Sequence, residues 1–193
     1  MAVAAVLERR FTANDLLRME DGGHFELVDG CLVERNVSYE SSRIVSRIHV
    51  LVGGAAGEFG LGEIVDSELG MRLDRSDPER TRRPDLAFIS HSQAPTQDTP
   101  FLFVAPELVV EVVSPGDREP EVQAKVVEWL GYGVRLVWVV YPATREVHAF
   151  RQGVPPRVYG GDMVISAEDV LPGFSVAVSR FFARNSEPNT RDS

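Results

Sequence analysis

Leu108-Val109-Val110-Glu111-Val112-Val113, closed by Ser114-Pro115-Gly116-Asp117, is the stretch that decides the fold. Unbroken β-branched apolar residues ended by proline and glycine read as a strand buried on both faces, at the centre of a sheet. Glu111 stands alone in this run. A carboxylate there loses much of its hydration, so it requires a cation, a metal or several hydrogen bonds to stay charged. Upstream, Arg82-Arg83-Pro84-Asp85-Leu86-Ala87-Phe88-Ile89 is a second apolar run with an acid, Asp85, at its mouth. Two such acids on neighbouring strands would form an oxygen-rich pocket for a hard divalent cation.

Working outward, the segment after Glu111 predicts a helix from about 119 to 132, with Pro120 suited to its first turn and Gly131 and Gly133 to its end. Residues 134–141 read as another buried strand, and 144–151 pairs with it across Pro142-Ala143. Toward the N-terminus, Thr12 to Met19 reads as a short capped helix. Phe25 to Glu34 reads as a hairpin around Asp29-Gly30. Apolar residues at Ile44, Val45, Ile48, Val50, Leu51, Val52 and Ala55 predict a long helix over 39–59. Strands follow at about 63–73 and 85–90, then a polar loop from His91 to Pro100. Past Leu171-Pro172-Gly173-Phe174 a last helix is expected near 178–183, with a disordered polar tail over 185–193. The expected architecture is α/β (α+β): a single domain over 1–184, with a central mixed β-sheet flanked by helices.

Composition narrows the function classes. The chain has 193 residues, 44% of them hydrophobic and 25% charged, which fits a soluble globular domain. No apolar stretch approaches the ~18 residues of a membrane span. The single cysteine, Cys31, excludes an intramolecular disulfide and a cysteine metal site. A cytoplasmic location is expected. A net charge of −9 opposes non-specific polyanion binding, although Arg72, Arg75, Arg80, Arg82 and Arg83 cluster before Asp85. The cluster is either a solvated loop or a set of phosphate contacts, with Arg82 and Arg83 nearest the acids.

Pro-Asp at the mouth of one strand and a Glu within the next is the outline of the PD-(D/E)XK nuclease core. That core carries a lysine two residues after the Glu, where this chain has Val113; its only lysine is Lys125, on the following helix. Taken in order, Glu26-Leu27-Val28-Asp29-Gly30, the Pro84-Asp85 strand, Glu111 with Ser114-Pro115, the Lys125 helix, Gly133 to Trp138 and Leu171 to Phe174 resemble the Uma-two family. Its members are read as restriction endonucleases within the PD-(D/E)XK superfamily, and the resemblance spans about residues 11–183.

The resemblance implies a restriction endonuclease-like core with Asp85 and Glu111 as metal ligands and Lys125 as the lysine moved from strand to helix. Glu40 becomes an additional acid, and Arg82 stands at the family's arginine position. Where relatives often have a Glu-His pair, this chain has Glu40-Ser41. The implied cofactor is Mg²⁺ (or Mn²⁺), the implied partner DNA, and a homodimer or higher homo-oligomer is expected. A lysine of depressed pKa, or one acting as a fixed charge, would orient water or stabilise the phosphate. The expected function is Mg²⁺-dependent hydrolysis of DNA phosphodiester bonds. The alternative is a catalytically silent relative that keeps the fold as a binding module.

Each residue also has a plainer reading. Asp85 after a proline can cap a turn, Lys125 can be a surface lysine, and Glu40 suits a helix's first turn regardless of chemistry. Glu111 among valines has few purely structural uses. Trp129 and Trp138 read as core, and the four histidines show no ligand spacing.

Overall fold

A Thr12–Asp15 capping box starts α1 (Ala13–Arg18). The computed structural model describes residues 9–184; the expected tail over 185–193 lies outside them. The hairpin β1 (Phe25–Val28) and β2 (Cys31–Glu34) turns through Asp29 and Gly30, both at positive φ (49° and 75°), the backbone of a two-residue type I′ turn. Ser38 and Ser41 form a second capping box at the head of α2 (Tyr39–Glu58). Its buried residues Ile44, Ile48, Val52 and Ala56 recur every four positions and make one apolar stripe.

The strand expected over 63–73 is interrupted. It runs as β3 (Gly62–Asp66) and resumes only as the two-residue β4 (Gly70–Met71), because the Asp66 carboxylate accepts the Glu68 N–H (3.1 Å) and bends the chain. Then come β5 (Leu86–Ser90), the short β6 (Phe101–Leu102), which pairs in parallel with β4, and β7 (Leu108–Val112). The helix α3 (Glu119–Gly131) leads to β8 (Leu136–Tyr141), β9 (Glu146–Arg151) and β10 (Val154–Gly160). β8 starts two residues later than expected, since Gly133 takes φ +97° and the Val134 N–H closes back on the Trp129 carbonyl (3.1 Å). β11 (Val164–Ser166), β12 (Ser175–Ala177) and the single turn α4 (Ser179–Phe182) complete the chain. Among the described residues no helix is long and apolar enough to cross a membrane.

The central sheet has six strands in the order β10-β9-β8-β7-β5-β3. Only β7 and β8 are parallel, and α3 is the crossover between them. Every residue of β7 is buried, as a central strand requires. Side-chain alternation then sorts the sheet into two faces. Leu86, Phe88, Leu108, Val110, Val112 and Trp138 meet the α2 stripe and the C-terminal aromatics, with Trp138 against Phe174 and Phe181. Ala87, Ile89, Val109, Val137 and Val139 meet Val122, Val126 and Trp129 of α3. Asp85 and Glu111 have the parity of the second set. They therefore project toward α3, not α2.

Candidate active site at the ends of the central strands

Antiparallel β5 and β7 pair Leu86 with Val110. One step further along that register sets Asp85 opposite Glu111, so the two acids expected on neighbouring strands do meet across the ladder. Pro84 precedes Asp85 and keeps β5 from extending further back. The Val112 N–H then has no β5 carbonyl to bond, and the Asp85 Oδ2 accepts it at 2.7 Å. Asp85 Oδ1 faces the Arg35 guanidinium at 3.3 Å, from just past β2. The capping use of Asp85 is thus real, yet each carboxylate oxygen keeps a second lone pair for another partner.

Glu111 is only 8% exposed. Its Oε1 accepts the Trp129 indole N–H at 2.8 Å and its Oε2 lies 3.5 Å from Lys125 Nζ. Both partners come from α3, where Lys125 and Trp129 are four residues apart and so share one face. Burial pushes the Glu111 carboxyl up to about 7, with the charges of Asp85 and Glu26 adding to the effect; Lys125 and the indole offset part of it. Asp85 is raised too, by burial and the Glu26 charge, against the Val112 N–H, Arg35 and Lys125.

The Lys125 amine turns inward. It reaches Glu26 Oε1 at 3.1 Å as well as Glu111. Burial alone would lower its pKa, but the two carboxylates hold it above the ordinary lysine range. Of the two expected modes, these contacts favour the fixed positive charge.

Glu26 was not among the expected site residues, although it opens the Glu26-Leu27-Val28-Asp29-Gly30 motif. It is 1% exposed. Its Oε1 also accepts the Arg83 backbone N–H (3.0 Å) and its Oε2 the Arg82 guanidinium (3.0 Å). Burial would raise Glu26, but Lys125, Arg82 and the Arg83 N–H together hold it below the usual glutamate range. Arg35 and Glu128 were missed as well; Glu128 receives the Arg82 Nε at 2.9 Å. The one available signal was its place at the head of that motif, in the strand leading into the Asp29-Gly30 turn.

Other positions singled out in the sequence are placed as follows. Arg82 and Arg83 are buried rather than displayed. Arg82 is clamped by Glu26 and Glu128, and Arg83 donates to the carbonyls of Phe25 (3.2 Å), Ser67 (3.2 Å) and Glu68 (2.5 Å), so their placement does not support the phosphate contacts expected of them. Glu40 is directed away from the acids and onto Arg43 (2.7 Å) and Arg184 (3.7 Å). Ser41, where relatives often have His, is buried and its Oγ accepts a hydrogen bond from Ser114 (2.9 Å), tying α2 to the loop after β7.

The acids line a cavity of about 280 Å³. Among the described residues no group of three or more His, Cys, Asp or Glu is placed to enclose a metal. The pair Asp85 and Glu111 nevertheless fits Mg²⁺ or Mn²⁺ by donor chemistry. Both are oxygen donors, both are pushed toward the neutral form by burial, and Mg²⁺ retains several waters and needs only one or two carboxylates. A cation between them would hold both ionised.

The family model described as "Putative restriction endonuclease", Uma2, matches residues 13–179. Among solved structures, the chain is similar to a crystal structure described as a putative nuclease belonging to DUF820 from Anabaena variabilis ATCC 29413. The match has a TM-score of 0.78 and 16% identity, and it covers 89% of this chain and 97% of that one. No curated protein matches the chain. The family model's match over residues 13–179, most of the chain, places this protein in the Uma2 family.

Proposed function

We propose that the protein is a divalent-metal-dependent endonuclease that hydrolyses phosphodiester bonds of DNA. The observation that carries this reading is the position of the Lys125 amine, brought from α3 to within 3.5 Å of Glu111 although the strand position Val113 lacks a lysine. Asp85 and Glu111 would hold the Mg²⁺ or Mn²⁺. The ion, when bound, supplies an activated water and charge neutralisation on the phosphate. Lys125, fixed as a cation by Glu26 and Glu111, stabilises the negative charge that builds on the phosphate oxygens and donates a hydrogen bond to them. Its raised pKa favours the role of a charge over that of a proton acceptor. In the overall step a water oxygen bonds to phosphorus and its proton leaves to solvent. One P–O ester bond breaks, and the departing sugar oxygen takes up a proton. Trp129 and the valines around Glu111 limit water access to its carboxylate.

Plasmid nicking in Mg²⁺ and in Mn²⁺ tests the reading, with Asp85→Ala and Glu111→Ala beside the wild type. Cleavage that disappears in both variants supports it; wild type indistinguishable from the variants ends it. The silent-relative reading has its own observation, namely that both Asp85 oxygens already have protein partners, Arg35 and the Val112 N–H. The same assay decides between the two.

A further inference from the structure

The cavity over Asp85 and Glu111 is small and its entrance is acidic. At about 280 Å³ it lies near the lower bound of roughly 300 Å³ for small-molecule pockets, room for one nucleotide and not for a stacked pair of strands. Two elements wall it, the β1–β2 hairpin on one side and the first turns of α3 on the other, with Val28, Val33, Val113 and Val122 giving an apolar lining. The reacting carboxyls lie below these walls, with the Glu111 side chain 10% exposed and that of Asp85 24%.

Charge points the same way. Six acidic side chains line the cavity against four basic ones. All four basic groups have inward partners: Arg35 on Asp85, Arg82 on Glu26, Arg83 on backbone carbonyls, Lys125 on Glu26 and Glu111. Its outer acids are Glu34 and Glu121, both exposed, and the half-buried Asp117; Glu121 is paired with the exposed Arg118 guanidinium (2.5 Å). A duplex delivers one phosphate per about 1.7 Å of axis, and binding it needs cations that face the flanking phosphates. Here those phosphates would meet Glu34, Asp117 and a Glu121 already paired with Arg118, an excess of negative charge. Stacking also prevents a paired nucleotide from descending to a recessed site, whereas an unpaired one can leave the stack at little cost. Its base can then lie against the valines while its phosphate meets the acids and Lys125.

We infer that this site acts on DNA strands that are unpaired at the scissile phosphate, an inference that rests on the nuclease reading. The test uses one labelled oligonucleotide as a single strand, as a blunt duplex and as a duplex with an overhang. Binding to wild-type protein is followed by fluorescence anisotropy in Ca²⁺, and cleavage in Mn²⁺. The single strand and the overhang are expected to bind and to be cut at least about tenfold better than the blunt duplex. Equal or better use of the blunt duplex overturns the inference while leaving the nuclease reading intact. Preferential single-strand binding with no cleavage removes the nuclease reading and keeps the strand preference; no binding and no cleavage removes both. In Glu34→Lys, a change at the exposed entrance, duplex binding should rise several-fold relative to single-strand binding. An unchanged ratio overturns the role given to the acidic entrance.

Discussion

Lys125 Nζ lies 3.1 Å from Glu26 Oε1, joining the only lysine of the chain to an acid of the first hairpin. Breaking a buried pair by deleting one partner leaves the other charge uncompensated. Lys125→Met is therefore expected to cost about 3–5 kcal/mol of unfolding free energy, read from urea denaturation, and to abolish cleavage. The double variant Glu26→Gln/Lys125→Met should recover part of that stability with no recovery of activity. Additive stability losses would show that the two residues do not interact.

The pH dependence of stability should carry the signature of Glu111. Its carboxyl is raised from 4.5 to about 7 in the folded protein, so between those values the folded state binds more protons than the unfolded one. Stability of the metal-free protein therefore falls as pH rises through this window, and the deficit is complete above pH 7. Glu111→Gln should flatten the Tm profile between pH 4.5 and 7 and raise Tm at pH 8. Mg²⁺ or Mn²⁺ should raise wild-type Tm more at pH 8 than at pH 5.5.

Trp129 should report on the same group. Its indole N–H donates to Glu111 at 2.8 Å, whereas Trp138 packs between Phe174 and Phe181 with no such partner. Emission of a Trp138→Phe variant is expected to change with an apparent pKa near 7 and to respond to added divalent metal. A Trp129→Phe variant should show neither change. Titration that survives in Trp129→Phe would place the ionising group elsewhere.

Glu40 supplies a negative control. Its carboxylate is held below the ordinary range by the hydrogen bond from Arg43 and faces Arg184, away from the acids over β5 and β7. Nicking by Glu40→Ala should stay within about twofold of wild type, a difference of less than ~0.5 kcal/mol in barrier. A loss of two orders of magnitude would bring Glu40 into the chemistry.

Arg35 is expected to tune Asp85, because its charge opposes the upward push of burial on that carboxyl. Arg35→Gln should move the acid limb of the cleavage pH profile to higher pH, with the alkaline limb unchanged. An unmoved acid limb would mean that Asp85 ionisation does not limit the reaction.

Much of this fold follows from local pattern. The valine run specifies a central strand because no amphipathic alternative exists for it, and Pro84 sets where the neighbouring strand can begin. The α2 stripe and the Thr12 cap of α1 were legible as spacing and a cap residue, whereas the Ser38–Ser41 box emerged only in the structure. The break at Asp66 was not, since it depends on one side chain bonding the backbone two residues on.

For the site, the sequence by itself determined that Glu111 is buried, that Asp85 stands at the mouth of a strand, and that one lysine follows on a helix. Parity then set both acids on the α3 face once the strands were paired. Only the tertiary structure decided which charges meet. Arg35 and Asp85 are 50 residues apart, Arg82 and Glu26 are 56 apart, and their contact is set by how the first hairpin docks over the sheet. That docking brought Glu26 in, turned Arg82 and Arg83 inward, and left Glu40 outside. The physical reason is that a buried charge is held by the partner that reaches it in space, and sequence spacing encodes such reach only within a helix or along a strand.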